Sequence, residues 1–299
     1  MDIDPAGPPE PAAPAEEAQE AAVPERTSRT GRNLPVAIGV GAGLGGLVLL
    51  TLLTVKATFL LYVGAALFVA LRELAAATAR HDVKIPVIPV AVGGAAMLTC
   101  MYWPGTQAAL AALALTVVVI FAWRLPGGPD GYLRDVTGGV FATIYLPFMG
   151  TFVAAMLVPA DGSRRVLTFI ILTISSDIGG YFAGITLGQD GRHKMAPAIS
   201  PKKTWEGFAG SAVACLVAGW LCVTLMLHGH AWQGLLTGAA AVLAATLGDL
   251  AESMIKRDLG IKDMGTLLPG HGGILDRLDS LLVVVPVVWL LLYAFIPAR

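Results

Sequence analysis

Charge is what this chain has least of. Only 14% of its 299 residues are Asp, Glu, Lys or Arg, against roughly 25% in an ordinary soluble domain, so it lacks the polar material to cover a globule. The net charge of −1 leaves no basic field of the kind that would attract nucleic acid. Cysteine is scarce: Cys100, Cys215 and Cys222 lie in or beside apolar runs without paired spacing. That excludes a disulfide framework and a zinc site, and leaves small packing residues. No Gly-Lys-Ser/Thr follows a glycine-rich loop, so there is no Walker motif. No internal repeat stands out, which weakens an inverted-repeat transporter.

What the chain has instead is apolar length. Hydrophobic residues make up 56% of it and the mean hydropathy is +0.72. Nine apolar segments can be drawn, at 35–54, 57–78, 85–102, 107–124, 138–158, 166–188, 208–228, 234–255 and 280–296. A helix needs about 20 mostly apolar residues to cross a bilayer. The expected fold is therefore all-α, a polytopic membrane helix bundle of about nine transmembrane helices. Abundant Gly and Ala within the segments suit close helix packing. Residues 1–33 are rich in Pro, Ala and Glu and read as a disordered tail, with acids where a signal peptide would carry basic residues. Beyond it, 34–160 form N-terminal membrane helices and 161–299 a second region with polar loops 189–207 and 256–279.

With the N-terminus on the cytoplasmic side, all but four of the 20 Lys and Arg residues fall inside, the exceptions being Lys56, Arg164, Arg165 and Arg299. This bias predicts a multi-pass protein of the cell inner (plasma) membrane with both long loops on the cytoplasmic face. Arg164 and Arg165 stand against the rule.

Nearly all polar residues after position 170 gather in 175–211 and 248–280. Asp177 lies midway along its segment, and Asp249 and Glu252 near the inner end of theirs. Ionisable groups at such depth usually face a cavity or a partner. Asp276 and Asp279 are three apart and share a helix face. Acids converging on one cavity make an oxygen-rich site suited to Mg²⁺ with substrate phosphates; alternatively they pair with Lys256, Arg257 or Arg277 and hold helices together. Lys202, Lys203, Lys256, Arg257, Lys262 and Arg277 lie close to these acids, a mixture that phosphoryl or nucleotidyl transfer requires. Lys202 and Lys203 equally suit a purely topological role. The glycines around His271 allow backbone amides to approach a phosphate, with a helix N-terminus following.

The second cluster resembles the signature of phosphatidate cytidylyltransferases, also called CDP-diacylglycerol synthases. The matching residues are Ser253, Lys256, Arg257, Lys262, Asp263, Leu268, Pro269, His271, Gly272, Gly273, Asp276, Arg277 and Asp279. The first cluster is similar too, with Asp177, Gly180, Tyr181 and Gly184, then Ser200, Pro201, Lys203, Thr204, Trp205, Glu206 and Gly207. The resemblance is specific over about 175–280; before that only hydropathy agrees. It implies transfer of a cytidylyl group from CTP to phosphatidic acid, with pyrophosphate leaving. It further implies Mg²⁺ held by Asp249 and Asp276, which a second cation can accompany. Lys203, Lys256, Arg257 and Lys262 are implied for the triphosphate, with Ser200, Thr204 and His271 lining the cavity. Asp177, Lys202, Asp263, Gly272, Gly273, Arg277 and Asp279 complete the expected substrate contacts. The bilayer is an expected partner, nucleic acid is not, and a homodimer is an allowed assembly. Two alternatives remain: a CTP-dependent enzyme acting on another lipid phosphate or a polyprenol, and an ion-coupled transporter using Asp177, Asp249 and Glu252.

Overall fold

A computed structural model describes residues 34–188, 193–267 and 272–298. Ten α-helices run through them: α1 (Leu34–Thr54), α2 (Lys56–Ala79), α3 (Val87–Tyr102), α4 (Thr106–Arg124), α5 (Tyr132–Thr143), α6 (Met149–Leu157), α7 (Gly162–Thr186), α8 (Trp205–Leu221), α9 (Ala231–Asp258) and α10 (Leu275–Phe295). A π-helical turn over Ile144–Phe148 joins α5 to α6 in one rod, so the described residues form nine rods. Pro147 sits inside that turn; its missing N–H and bulky ring disrupt regular helical bonding, and the wider turn absorbs the fault. Seven helices in the described residues are long and apolar enough to cross a membrane, and Val87–Tyr102 is a shorter apolar helix. The protein is a polytopic helical membrane protein. The expected tail at 1–33 lies outside the described residues.

Between α7 and α8 the loop is not featureless. Strands β1 (Lys194–Ala196) and β2 (Ser200–Thr204) pair antiparallel in a small hairpin, an addition to the all-helical expectation.

The second half of the chain packs through small residues. Helix α7 lies closest on α8, and a side chain at Gly179 or Gly210 would meet the other residue's backbone. Bare glycines let the two backbones touch. Ser211 Oγ donates to the Ser176 carbonyl at 2.6 Å and Cys215 Sγ to the Leu172 carbonyl at 3.4 Å along the same seam. Gly248 of α9 abuts the backbone at Asp279 and Ser280 of α10. The four helices carrying the polar clusters are thereby drawn together.

Hydrogen bonds between helix ends sort those ends into two faces. On one face, Lys56 Nζ donates to the carbonyls of Leu157, Pro159 and Ala160, and Ser163 Oγ to that of Leu52. Arg164 reaches the Met226 carbonyl, and Gln233 Nε2 the Phe295 carbonyl. On the other, His81 pairs with the Leu259 carbonyl, Lys84 N–H and Arg124 with Asp135, and Arg257 with the Ile199 carbonyl. The described parts of 189–207 and 256–279 thus share a face, opposite to 157–165, as the alternation of crossing segments requires.

The same bonds account for Arg164 and Arg165. Arg165 is buried, paired to Asp161 at 2.9 Å, and donates to the carbonyls of Leu292, Ile296 and Pro297. Those carbonyls, at the end of α10 and just past it, include ones with no intrahelical donor, and a cation there also meets the negative end of the helix dipole. Lys56 serves the end of α6 in the same way. Three of the four residues that depart from the charge rule are thus helix caps.

Candidate active site

A cavity of about 330 Å³ lies between α7, the hairpin, α8 and α9. Its wall brings together Asp177, Ser200, Lys202, Lys203, Thr204 and Asp249, six residues expected from sequence. Gly180, Tyr181, Gly184 and Gly207, which carry the first-cluster resemblance, line it as well. Local folding explains the arrangement. Thr204 ends β2 in an extended conformation and its Oγ1 accepts from Gly207 N–H at 3.1 Å, capping α8. Glu206 in the first turn suits the positive end of the helix dipole and pairs with His193. The cap turns the chain so that Lys203, just before it, reaches across to form an ion pair with Asp249 of α9. Arg257 is exposed and donates to the Ile199 carbonyl at 3.3 Å, so the loop regions meet at two points.

A second cluster adjoins the first at the start of α10. Lys256 Nζ lies 2.9 Å from Asp276 Oδ1 and 3.3 Å from Glu252 Oε1. The Asp276 carboxylate also accepts from Met264 N–H at 3.0 Å and Gly273 N–H at 2.9 Å. Gly272 has φ +82°, a conformation that favours glycine, and Asp263 borders it. Asp279 links the clusters: its charge acts on Asp177 and Glu252, and that of Asp249 acts on it. The positive charge of Arg277 acts on Asp177 in the opposite sense. Lys262 is exposed and stands away from the cavity wall. His271 lies outside the described residues.

The donors suit a hard cation only in part. Among the described residues no three His, Cys, Asp or Glu side chains stand close enough to hold a metal by themselves. Asp249 is engaged by Lys203 and by Ser253 Oγ at 3.3 Å, and the oxygens of Asp276 are well supplied with donors. Yet Glu252 is fully buried, its carboxylate in an ion pair with Lys256 at 3.3 Å but without a well-aligned hydrogen bond. Five acids thus converge, all offering oxygen ligands, one of them held by that ion pair alone. That set fits Mg²⁺ in its usual substrate-dependent form, in which phosphate oxygens complete the coordination.

Two acids of this assembly are absent from the expected cytidylyl-transfer residues. Glu252 is read from sequence as one of the acids that could converge on a cavity, and as an ion-coupling acid in the transporter alternative, but with no role in the transfer. Glu73 of α2 accepts from the amides of Ile274 and Leu275, far from both clusters along the chain. Its signal was available, since a lone acid within the apolar run of α2 is an expensive residue that needs a partner.

Comparison with known proteins establishes the family. Residues 36–295 match the model of the cytidylyltransferase family. A phosphatidate cytidylyltransferase of Mycobacterium leprae is 41% identical over 285 residues, covering 90% of each chain. One of Mycobacterium tuberculosis H37Rv is 42% identical over 280 residues, covering 89% of this chain and 84% of that protein. A phosphatidate cytidylyltransferase of Haemophilus influenzae is 40% identical over 133 residues, covering 43% of this chain and 45% of its own. The chain belongs to the cytidylyltransferase family and is a nucleotidyltransferase.

Proposed function

We propose that this membrane enzyme transfers the cytidylyl group of CTP to phosphatidic acid, giving CDP-diacylglycerol and pyrophosphate. The observation that carries this reading is the meeting of both polar clusters at one cavity, through Lys203 with Asp249 and Arg257 with Ile199. One wall supplies cations for a triphosphate, and the adjoining acids suit a divalent ion. Tyr181, which lines the cavity, is largely exposed. In a bilayer it would face lipid, as a site fed from the membrane requires.

An oxygen of the lipid phosphate forms a bond to the α-phosphorus of CTP. The bond from that phosphorus to the bridging oxygen breaks, and pyrophosphate leaves with the electron pair. The nucleophile is already ionised, so no side chain need remove a proton. Lys203, Lys256 and Arg257 orient the triphosphate and neutralise charge on the leaving group, whereas Lys262, exposed and away from the cavity wall, would have to move in to join them. The triphosphate competes with Asp249 for Lys203, so nucleotide binding frees a carboxylate. Asp249 and Asp276, with Glu252 beside them, would hold Mg²⁺, which when bound supplies charge stabilisation at the phosphates. CTP requires this face to be the cytoplasmic one.

The test is pyrophosphate release by purified protein with CTP and Mg²⁺. Release with phosphatidate, and little with a polyprenol or without lipid, is the expected result. Release with polyprenol alone would assign a different lipid substrate. No release with any lipid would overturn cytidylyl transfer.

A further inference from the structure

We propose that Glu73 is a positioning residue for the reaction, a carboxylate in the first half of the chain that fixes where α10 begins. The proposal rests on the cytidylyl-transfer reading for its effect on turnover, but not for its effect on the backbone.

The N-terminus of α10 has no cap of its own. Its N-cap position is Ile274, whose side chain cannot accept a hydrogen bond. The cap comes from α2 instead: Glu73 Oε1 accepts from Ile274 N–H at 3.0 Å and Oε2 from Leu275 N–H at 2.8 Å. Both are free first-turn donors, and a negative charge there also meets the positive end of the helix dipole. The surrounding chain is cut to fit this carboxylate. A Cβ at Gly265 or at Gly273 would collide with it, so these two glycines leave the room that the acid fills.

Asp276 completes the arrangement from inside the loop by accepting from Met264 and Gly273. Two carboxylates therefore hold three consecutive amides, Gly273, Ile274 and Leu275. The direction of the first turn of α10 follows from this, and with it the projection of Asp276 and Asp279. Simple packing does not require an acid here. Leu67, Leu71 and Leu74 already bury the core-facing side of α2, and an apolar residue at position 73 would avoid the cost of a charge in an apolar segment.

The experiment compares full-length wild type, Glu73→Gln and Glu73→Asp in lipid nanodiscs by amide hydrogen exchange and by steady-state kinetics. Gln keeps size and one acceptor but turns an amide NH₂ towards the second backbone donor; Asp keeps the charge but is one methylene short. With Gln, exchange over 261–267 and 274–276 should rise at least about tenfold while 149–157 and 231–258 stay unchanged. In the same variant kcat/KM for CTP should fall at least about tenfold, with KM for phosphatidate within about twofold. Asp should fall between Gln and wild type in both. Unchanged exchange at 274–276, or a rise spread evenly over all helices, overturns the proposal. So does faster exchange with turnover within about twofold of wild type, because the cap would then have no catalytic consequence. If wild type itself releases no pyrophosphate with any lipid, the transfer reading fails and the positioning role falls with it, while the exchange data still show whether Glu73 holds α10.

Discussion

Replacing Asp276 by Asn tests the site at its most connected residue. The carboxylate accepts from Lys256 Nζ, Met264 N–H and Gly273 N–H, with its side chain only 5% exposed. Asn keeps the shape but has one acceptor oxygen. If that oxygen faces the two amides, the new NH₂ group confronts the Lys256 ammonium, donor against donor. If it faces Lys256, the amides lose their partner. Losing a bond to a charged group costs about 1.5–3 kcal/mol, and leaving its buried partner unmatched raises the sum to about 2–4 kcal/mol. At 1.36 kcal/mol per decade, displacement of the loop alone would lower kcat/KM by about 30-fold to about 900-fold. If Asp276 also binds the cation, as proposed, the loss passes about a thousandfold and higher Mg²⁺ does not restore it. The assay is pyrophosphate release at several Mg²⁺ concentrations, with folding checked by gel filtration in detergent. Turnover within about threefold of wild type would refute both roles.

Other perturbations separate the rest of the architecture. Arg165→Met removes the ion pair to Asp161 and three bonds to the end of α10. Losing one partner of a buried pair costs about 3–5 kcal/mol, so thermal unfolding in detergent should occur at distinctly lower temperature. Its turnover per folded molecule should stay near wild type, and an unchanged unfolding temperature would mean that the cap does not matter. Lys203→Met and Asp249→Asn should each lower kcat/KM by at least about a hundredfold, and the double variant should fall little further, as expected for groups acting as one unit. Strictly additive losses would show that the pair does not act together. In a protein without native cysteines, cysteines at exposed Ala198 and Thr266 should react with an impermeant thiol reagent from one side of the membrane and a cysteine at exposed Ala160 from the other. Gly162 is a poor probe for that face because a side chain there would strike the Leu157 backbone. Labelling of Ala198 and Thr266 from opposite sides would break the single-cavity mechanism.

The helices were legible because apolar length is a strong signal, and the boundaries failed where charge interrupts it. Helix α7 was expected from 166 and begins at Gly162, because Arg164 and Arg165 look like loop residues until Asp161 and the end of α10 supply partners. The rod through α5 and α6 was expected from 138 and begins at Tyr132. There Asp135 is buried against Arg124 at 2.7 Å and the Lys84 amide at 2.8 Å. In both cases a charged residue is satisfied partly by a nearby ion pair and partly by backbone groups of a segment distant in sequence. The hairpin was missed for a related reason: its strands are short, Pro201 interrupts one of them, and an irregular register joins them.

The same logic explains which part of the site could be read. Lys203, Asp249 and Asp276 drew attention because each stands in a dense local cluster of polar residues, and their expected roles came from the family resemblance. Glu73 has only Arg72 beside it in a run of Leu and Ala, so no dense polar cluster marks it, and its role exists only once α2 and the start of α10 are adjacent. The glycines are its negative image: Gly273, beside His271, was expected to let the backbone approach a phosphate, whereas it and Gly265 make room for a carboxylate of the protein itself. A glycine-rich loop in a membrane enzyme therefore admits two explanations that sequence cannot separate, an external anion and an internal one. Here the internal anion is present at Gly273, with Asp276 on its amide and Glu73 against its α-carbon. The amides of Gly273, Ile274 and Leu275 are consequently engaged, and these three are not free to receive a substrate phosphate.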